Sequence, residues 1–254
     1  MTPITDPWFY AAAIPAVIIV GLSKGGFGGT LAMFGVPSMA LVVSPVQAAG
    51  IMLPILVLMD AIALFAYKGE ADKKTLLYLL PAAVIGIGIG WATAAYVNEI
   101  FVTLLIGVMS LIFVLDYLIK RKRNLAPADH NLKKGVFWGT ITGFTSFVSH
   151  TGGPPYQLYT VPLRLTPTLF AGTAVIFFAV VNAIKLVPYF LLGQFDSQNL
   201  MTSLVLLPLA PLATLAGVRL VRIINQELFY KLIYAIMAVI GLKLIVDGLI
   251  GLIG

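Results

Sequence analysis

Long runs of apolar residues, separated by short polar loops, constrain this chain more than any other feature of its sequence. A helix rises 1.5 Å per residue, so crossing roughly 30 Å of hydrocarbon takes about 20 apolar residues. Of the 254 residues, 60% are hydrophobic and only 10% are charged, and the mean hydropathy is +1.01. A soluble core cannot bury so much apolar surface. We therefore expect an all-α integral membrane protein, with residues 1–254 forming a single transmembrane domain.

The apolar runs fall into two length classes. Six runs are long enough for full spans, at about residues 46–67, 75–97, 99–119, 166–191, 199–220 and 227–250. Four runs are shorter, at about residues 8–22, 27–43, 135–149 and 155–163. Short apolar helices suit re-entrant segments, which are tolerated where protein or a water-filled cavity surrounds them. We expect the short runs to form two pairs of re-entrant half-helices.

The sequence also repeats itself at a nearly constant offset. Pairs separated by 127 positions are Gly25 and Gly152, Pro81 and Pro208, Gly90 and Gly217, and Asn98 and Asn225. Pairs separated by 122 positions are Pro45 and Pro167, and Gly50 and Gly172. This pattern predicts repeat one at about 8–119, a loop at 120–134 and repeat two at about 135–250. Each repeat would be a short-helix pair followed by three spans.

Basic residues predict the orientation of the two repeats. The loop at 120–134 contains Lys120, Arg121, Lys122, Arg123, Lys133 and Lys134. An excess of Lys and Arg marks cytoplasmic loops, so this loop and the loop at Lys68 are predicted inside, with the Asn98-Glu99 turn outside. Because three spans per repeat is an odd number, repeat two would enter the membrane upside down.

Repeat two carries the charge pattern that this inversion requires. Arg219 and Arg222 flank its equivalent of the Asn98 turn, whereas the loop around Asp196 has no Lys or Arg. Both termini are then predicted outside the cytoplasm of a multi-pass protein in a bacterial inner membrane. Inverted repeats of this kind characterise secondary transporters.

Two glycine-rich loops join the members of the short-helix pairs. Their sequences are Ser23-Lys24-Gly25-Gly26-Phe27-Gly28-Gly29 and His150-Thr151-Gly152-Gly153-Pro154-Pro155. The helix after each loop would present free N–H groups and a positive dipole end, which predicts a midplane anion site between the loops. The predicted substrate ligands are Lys24, Gly25, Gly26, Gly28, Gly29, His150, Thr151, Gly152, Gly153, Tyr156 and Gln157.

These loop residues also have plainer interpretations. Glycines in membrane helices often allow close helix packing. Lys24 could snorkel to the headgroups, unless it meets an anion or a carboxylate at depth. His150 could be a hydrogen-bonding group that carries no proton.

Four further polar residues are candidates for coupling or gating. Asp60 and Asn182 are equivalent at the offset of 122, and Lys185 lies on the face of Asn182 at i+3. An ion within a span indicates function by default, with a salt bridge between helices as the structural alternative. Arg164 is either an entry guide for anions or a positive-inside anchor, and the anchor is preferred.

Several functions are disfavoured by what the sequence lacks. There is no cysteine, no pair of metal-binding histidines on one helix and no G-x-S-x-G arrangement, so we expect no enzyme activity, no metal and no cofactor. The net charge of +6 is concentrated in one loop, which indicates membrane topology and argues against nucleic-acid binding. The expected partners are the lipid bilayer and a small anion, and the apolar surface permits a homodimer.

The glycine loops, each followed by a proline (Pro37 and Pro162) in two homologous halves, resemble the sulfite exporter TauE/SafE family. The resemblance covers nearly the whole chain. The second loop departs from the family pattern, because Pro154 and Pro155 stand where a third glycine is typical. The resemblance implies transport of a sulfur-containing anion such as sulfite, sulfoacetate, another organosulfonate or thiosulfate.

We therefore expect a secondary transporter that exports sulfite or a small organosulfonate by alternating access. An uptake permease coupled to protons or sodium and a passive anion channel are the alternatives.

Overall fold

The computed structural model describes residues 2–93, 96, 99–120 and 127–253, which form α-helices and short 3-10 segments without a β-strand. The helices are α1 (Pro7–Gly26), α2 (Gly35–Met39), α3 (Pro45–Ala66), α4 (Lys73–Thr93), α5 (Glu99–Lys120), α6 (Leu132–Ser149), α7 (Gly153–Thr160), α8 (Pro167–Leu191), α9 (Ser197–Leu206), α10 (Leu209–Ile223) and α11 (Gln226–Ile253). The 3-10 segments cover Thr30–Phe34 and Val161–Leu163. Asn98 and residues 121–126 of the basic loop lie outside the described residues, so the predictions on them stay predictions.

Several of these helices are long and apolar enough to cross a membrane. Among the described residues they lie in α1, α3, α4, α8 and α11, with a sixth crossing if α9 and α10 together form one span. The prediction of an all-α, multi-pass membrane protein is confirmed. Within α5, the residues whose side chains the structure describes include an apolar helical segment, Leu104–Leu115, that is shorter than these spans.

The first member of each short-helix pair is longer than predicted. The run at 8–22 belongs to α1, which has 20 residues and spanning length, and the run at 135–149 belongs to α6, which has 18 residues. The predicted length of this run is therefore too short, while the re-entry of the two short-helix pairs stays a prediction. The helix continues through the polar Ser23 and Lys24 because both side chains have partners inside the protein. At α6, the Asn131 side chain accepts from the Lys134 N–H and starts the helix earlier.

The run at 199–220 is not one straight helix. The chain bends by 49° between α9 and α10, at Leu207-Pro208. Proline lacks the N–H that would continue the helix ladder, and its ring clashes with the carbonyl of the residue four positions earlier. The run predicted as one full span is therefore a pair of helices with a bend between them, and together the pair is long and apolar enough for one crossing.

The helices form two compact units, and each unit draws on both halves of the chain. Unit one is Met1–Asp72 with Pro167–Ile223, and unit two is Lys73–Thr166 with Ile224–Gly254. In unit one, α1 packs on α10 and α3 packs on α8; in unit two, α4 packs on α6 and α5 packs on α11. A two-fold relation between the repeats would pair these elements in this way. The relation itself, and the opposite orientation of the repeats, stay predictions.

Glycines bring the paired helices into backbone contact. A Cβ on Gly25 of α1 would lie 2.1 Å from the carbonyl oxygen of Thr214 in α10. A Cβ on Gly86 of α4 would lie 2.0 Å from the carbonyl oxygen of Thr140 in α6. Backbone atoms cannot yield as a flexible side chain can, so these glycines are required for the observed packing.

Gly86 and Gly88 of α4 provide a matched test of this packing. A Cβ on Gly88 would meet nothing within 4 Å. We expect Gly86→Ala to lower stability by about 1–3 kcal/mol, because the added carbon overpacks the helix contact. Gly88→Ala should be neutral or slightly stabilising. Thermal unfolding of the two variants in detergent measures the difference, and equal melting temperatures would contradict the packing.

Candidate functional site

Unit one contains a buried cluster of charged and polar side chains from three helices. Its members are Lys24 of α1, Asp60 of α3, and Asn182 and Lys185 of α8, each at most 5% exposed. The Lys24 Nζ donates to Asp60 Oδ1 at 2.6 Å, and the Asn182 Nδ2 donates to Asp60 Oδ2 at 2.6 Å. One carboxylate thus joins α1 to α8 through α3.

Asp60 and Asn182 form a hydrogen bond directly between α3 and α8. The sequence repeat predicts that they are equivalent positions, and equivalent residues in contact would lie close to an axis relating the two repeats. This equivalence stays a prediction. Lys24 reaches the same carboxylate from the last turn of α1, where the negative end of the helix dipole favours a cation.

Lys185 places a second lysine near the Asp60 carboxylate. Its electrostatic neighbours are Lys24 and Asp60, and its Nζ lies 5.9 Å from the centroid of the Tyr189 ring. Two lysines and one carboxylate are thus buried together on helices of membrane-spanning length. Ionisable side chains in such a place are costly and indicate a candidate functional site.

The first glycine loop folds back over Lys24. The Ser23 carbonyl accepts from the N–H groups of Phe27 and Gly29, at 2.8 and 3.3 Å, and the Ser23 Oγ accepts from the Leu31 N–H at 3.0 Å. Gly28 and Gly29 have φ values of 67° and 69°, which suit glycine. The loop continues into a 3-10 segment at Thr30–Phe34, where the sequence had predicted the first turn of an α-helix.

The Phe178 ring packs beside the Lys24 ammonium group. The Lys24 ammonium lies 5.2 Å from the centroid of the Phe178 ring. The same ring lies 3.5 Å from the position a Cβ would take on Gly29. The loop, the lysine and the aromatic ring therefore form one packed group beside Asp60.

Gly25 and Gly26 lie at the end of α1 and not in the loop proper. Both face α10, where a Cβ on Gly26 would lie 2.1 Å from the Val221 side chain. The Gly25 carbonyl accepts from the Tyr67 hydroxyl at 2.6 Å, and burial raises the pKa of that phenol so that it stays a donor. Close packing accounts for both glycines, and their predicted contact with substrate stays a prediction.

The second glycine loop belongs to unit two and is described by itself. His150 ends α6 in the left-handed conformation, with φ at 54°, and is buried. The Thr151 N–H donates to the Thr145 carbonyl at 3.2 Å, and the Thr151 and Ser149 hydroxyls lie 2.7 Å apart. Gly152 caps α7, whose first residue is Gly153. The predicted short helix after this loop is present.

All eight residues of α7 are buried, although the helix is short and partly polar. Tyr156 is fully buried and Gln157 is 1% exposed. The Thr160 hydroxyl donates back to the Tyr156 carbonyl at 3.0 Å. The predicted contact of Tyr156 and Gln157 with substrate stays a prediction.

Arg164 lies in a cage of tyrosines within unit two. Its guanidinium carbon is 5.5, 4.9 and 5.9 Å from the ring centroids of Tyr117, Tyr230 and Tyr234. Tyr117 and Tyr234 stack on each other with centroids 3.5 Å apart. These cation–π contacts fix the chain after α7 against α5 and α11, an arrangement that favours the anchor interpretation of Arg164.

The sequence patterns did not identify three parts of these sites, which are Phe178, Tyr67 and the tyrosine cage. Phe178 precedes Asn182 by four residues and shares its helix face, so helical spacing could have identified it. Tyr67 and the tyrosine cage gave no such signal, because their partners are distant in sequence. They depend on helix packing alone.

The Lys24–Asp60 pair has an exposed counterpart for comparison. Lys231 and Glu227 of α11 form an ion pair of the same 2.6 Å length, with side chains 46% and 78% exposed. We expect Asp60→Ala to destabilise the protein by about 3–5 kcal/mol, because it leaves a buried ammonium without its partner. Glu227→Ala should cost less than about 1 kcal/mol. Unfolding of both variants in detergent tests this difference, and similar losses would show that burial does not govern the pair.

Comparison with known proteins agrees with the resemblance read from the glycine loops. A family model described as "Sulfite exporter TauE/SafE" matches residues 13–244, from within α1 to within α11. Searches of curated proteins and of solved structures found no significant match. The match covers most of the chain and includes the whole buried cluster. The chain therefore belongs to the TauE/SafE sulfite exporter family, a family of membrane transporters.

Proposed function

We propose that this protein is a secondary transporter that exports sulfite or a small organosulfonate, and that the substrate binds at the cluster of Lys24, Asp60, Asn182 and Lys185. The observation that carries the proposal is the burial of two lysine side chains, Lys24 and Lys185, beside the Asp60 carboxylate on helices long enough to cross a membrane. Ionisable side chains at such depth are costly and mark the pathways of transported ions.

The chemistry of the donors suits a sulfur oxyanion. Lysine ammonium groups and an asparagine amide offer several N–H donors, and a sulfonate or sulfite presents three oxygens that can accept them. Phe178 and Tyr189 supply aromatic walls beside the two ammonium groups. Hydrogen-bond donors beside apolar walls are typical of small-molecule sites.

Energetics favour export without a coupling ion. An inside-negative potential of 100 mV drives a monovalent anion outward by ~2.3 kcal/mol. A uniporter is therefore sufficient for export, whereas uptake would need a coupled proton or sodium ion.

We place the protein in a bacterial inner membrane, with both termini outside the cytoplasm, because the basic loops then lie inside.

Binding of anions to the purified protein tests the proposed site first. The panel is sulfite, sulfoacetate, taurine, acetate and sulfate, measured by calorimetry or thermal stabilisation. We expect a sulfur oxyanion to bind the wild type, and Lys24→Ala or Lys185→Gln to weaken binding at least tenfold. Lys231→Gln removes a charge of the same sign from an exposed pair and should leave binding unchanged.

Flux measurements in liposomes then separate the transport mechanisms. A transporter should saturate with substrate and show accelerated exchange when substrate is present on both sides. Large anion conductance in a planar bilayer would favour a channel instead. Absence of binding by every anion in the panel would remove the support for the site at Lys24.

The proposed orientation is testable with single cysteines, because the chain has none. Lys68, Gln198 and Thr2 are exposed positions in unit one. In intact cells, a membrane-impermeant maleimide should label Gln198→Cys and Thr2→Cys but should label Lys68→Cys only after permeabilisation. The reverse pattern would place the termini inside, and labelling at all three positions in intact cells would refute the topology.

A further inference from the structure

The end of α10 carries a groove that the proposed transport site does not use. The groove has a volume of about 480 Å³ and is lined by Leu215, Val218, Arg219, Arg222 and Ile223, all of α10 in unit one. With α9, this helix is long and apolar enough for one membrane crossing. The chain after α10 is polar, with Asn225, Gln226 and Glu227. The groove therefore belongs to the end of a span, where helices meet the lipid headgroups.

Arg222 is held in place by the end of a neighbouring helix. Its Nη2 donates a hydrogen bond to the carbonyl of Ala66, the last residue of α3. The last carbonyls of a helix have no partner within that helix, so the guanidinium satisfies one of them. A guanidinium has five N–H donors, and this bond leaves most of them for another acceptor. An arginine that only extends toward the headgroups has no such fixed position.

Arg219 lies on the same face of α10, three residues before Arg222. It is exposed, and within the described part of the chain its guanidinium forms no hydrogen bond or ion pair. Glu70 is an electrostatic neighbour of Tyr67, yet among the described residues it pairs with neither arginine. Two guanidinium groups side by side favour a ligand with negative charge and several acceptor oxygens, and phosphate is the usual one.

Apolar side chains line the rest of the groove. Leu215 and Ile223 are 50% and 74% exposed, and Val218 is buried beneath them. Leu215 precedes Arg219 by four residues, so it lies about one turn further from the end of the span. The order along α10 is thus the order within a phospholipid, whose charged headgroup lies at the surface and whose acyl chains extend inward.

We propose that this groove binds one anionic phospholipid, with its phosphate on Arg219 and Arg222 and an acyl chain along Leu215 and Val218. Basic side chains at the ends of membrane helices attract anionic headgroups, and apolar walls select a lipid over a soluble phosphate. The bound phosphate would also reinforce the contact between α10 and the end of α3, because Arg222 joins both. This site is separate from the cluster at Lys24 and does not depend on the transported substrate.

Native mass spectrometry of the delipidated protein tests the proposal. The probes are phosphatidylglycerol and phosphatidylcholine with the same acyl chains, which differ in net charge. We expect the first phosphatidylglycerol to bind the wild type about tenfold more tightly than phosphatidylcholine, and Arg219→Gln to remove that preference. Lys231→Gln removes a charge of the same sign from an exposed pair on α11 and should leave the preference unchanged.

Two further measurements keep the outcome clear. Arg222→Gln should weaken phosphatidylglycerol in the same way; if that variant does not fold, Arg219→Gln decides the test, because the Arg219 side chain has no hydrogen bond or ion pair among the described residues. Glycerol phosphate has the phosphate without acyl chains and should bind far more weakly than the lipid. Equal binding of the two lipids, an unchanged preference in Arg219→Gln, or glycerol phosphate that binds as tightly as the lipid would each overturn the proposal.

Discussion

The ion pair between Lys24 and Asp60 determines much of the local structure of unit one. An ammonium group near the end of an apolar helix needs a counter-charge, and α3 supplies it at 2.6 Å. With that charge offset, α1 continues through the glycines to Gly26, and the following loop folds back over the lysine. The same carboxylate binds Asn182, so α8 is joined to both helices.

Backbone contact at glycines is the second constraint, and both units use it. Lipid tails are as apolar as leucine side chains, so close van der Waals packing has to hold membrane helices together. Gly25 and Gly217 meet between α1 and α10, and Gly86 and Gly143 lie on the contact between α4 and α6. In each case a helix from one half of the chain packs on a helix from the other half. Neither half could form these contacts without its counterpart.

The buried cluster brings ionisable side chains from three helices together. Helices that carry Lys24, Asp60 and Lys185 are positioned by glycine contacts and by the Asp60 hydrogen bonds. Two lysines and one carboxylate lie almost fully buried on helices long enough to cross a membrane. Ionisable side chains at such depth indicate function by default, and we propose that the transported anion binds there.

The sequence by itself determined the class of the protein, its family and its candidate ions. Apolar runs identify membrane helices because the bilayer sets their length, and the glycine loops carry the family resemblance. Only the tertiary structure decided which charges meet. Whether Asp60 faces Lys24, and whether Gly25 binds substrate or packs on α10, depends on contacts between residues far apart in the chain. For the same reason the sequence predicts too short a run for α1: Ser23 and Lys24 interrupt the apolar pattern, and only the fold supplies their buried partners.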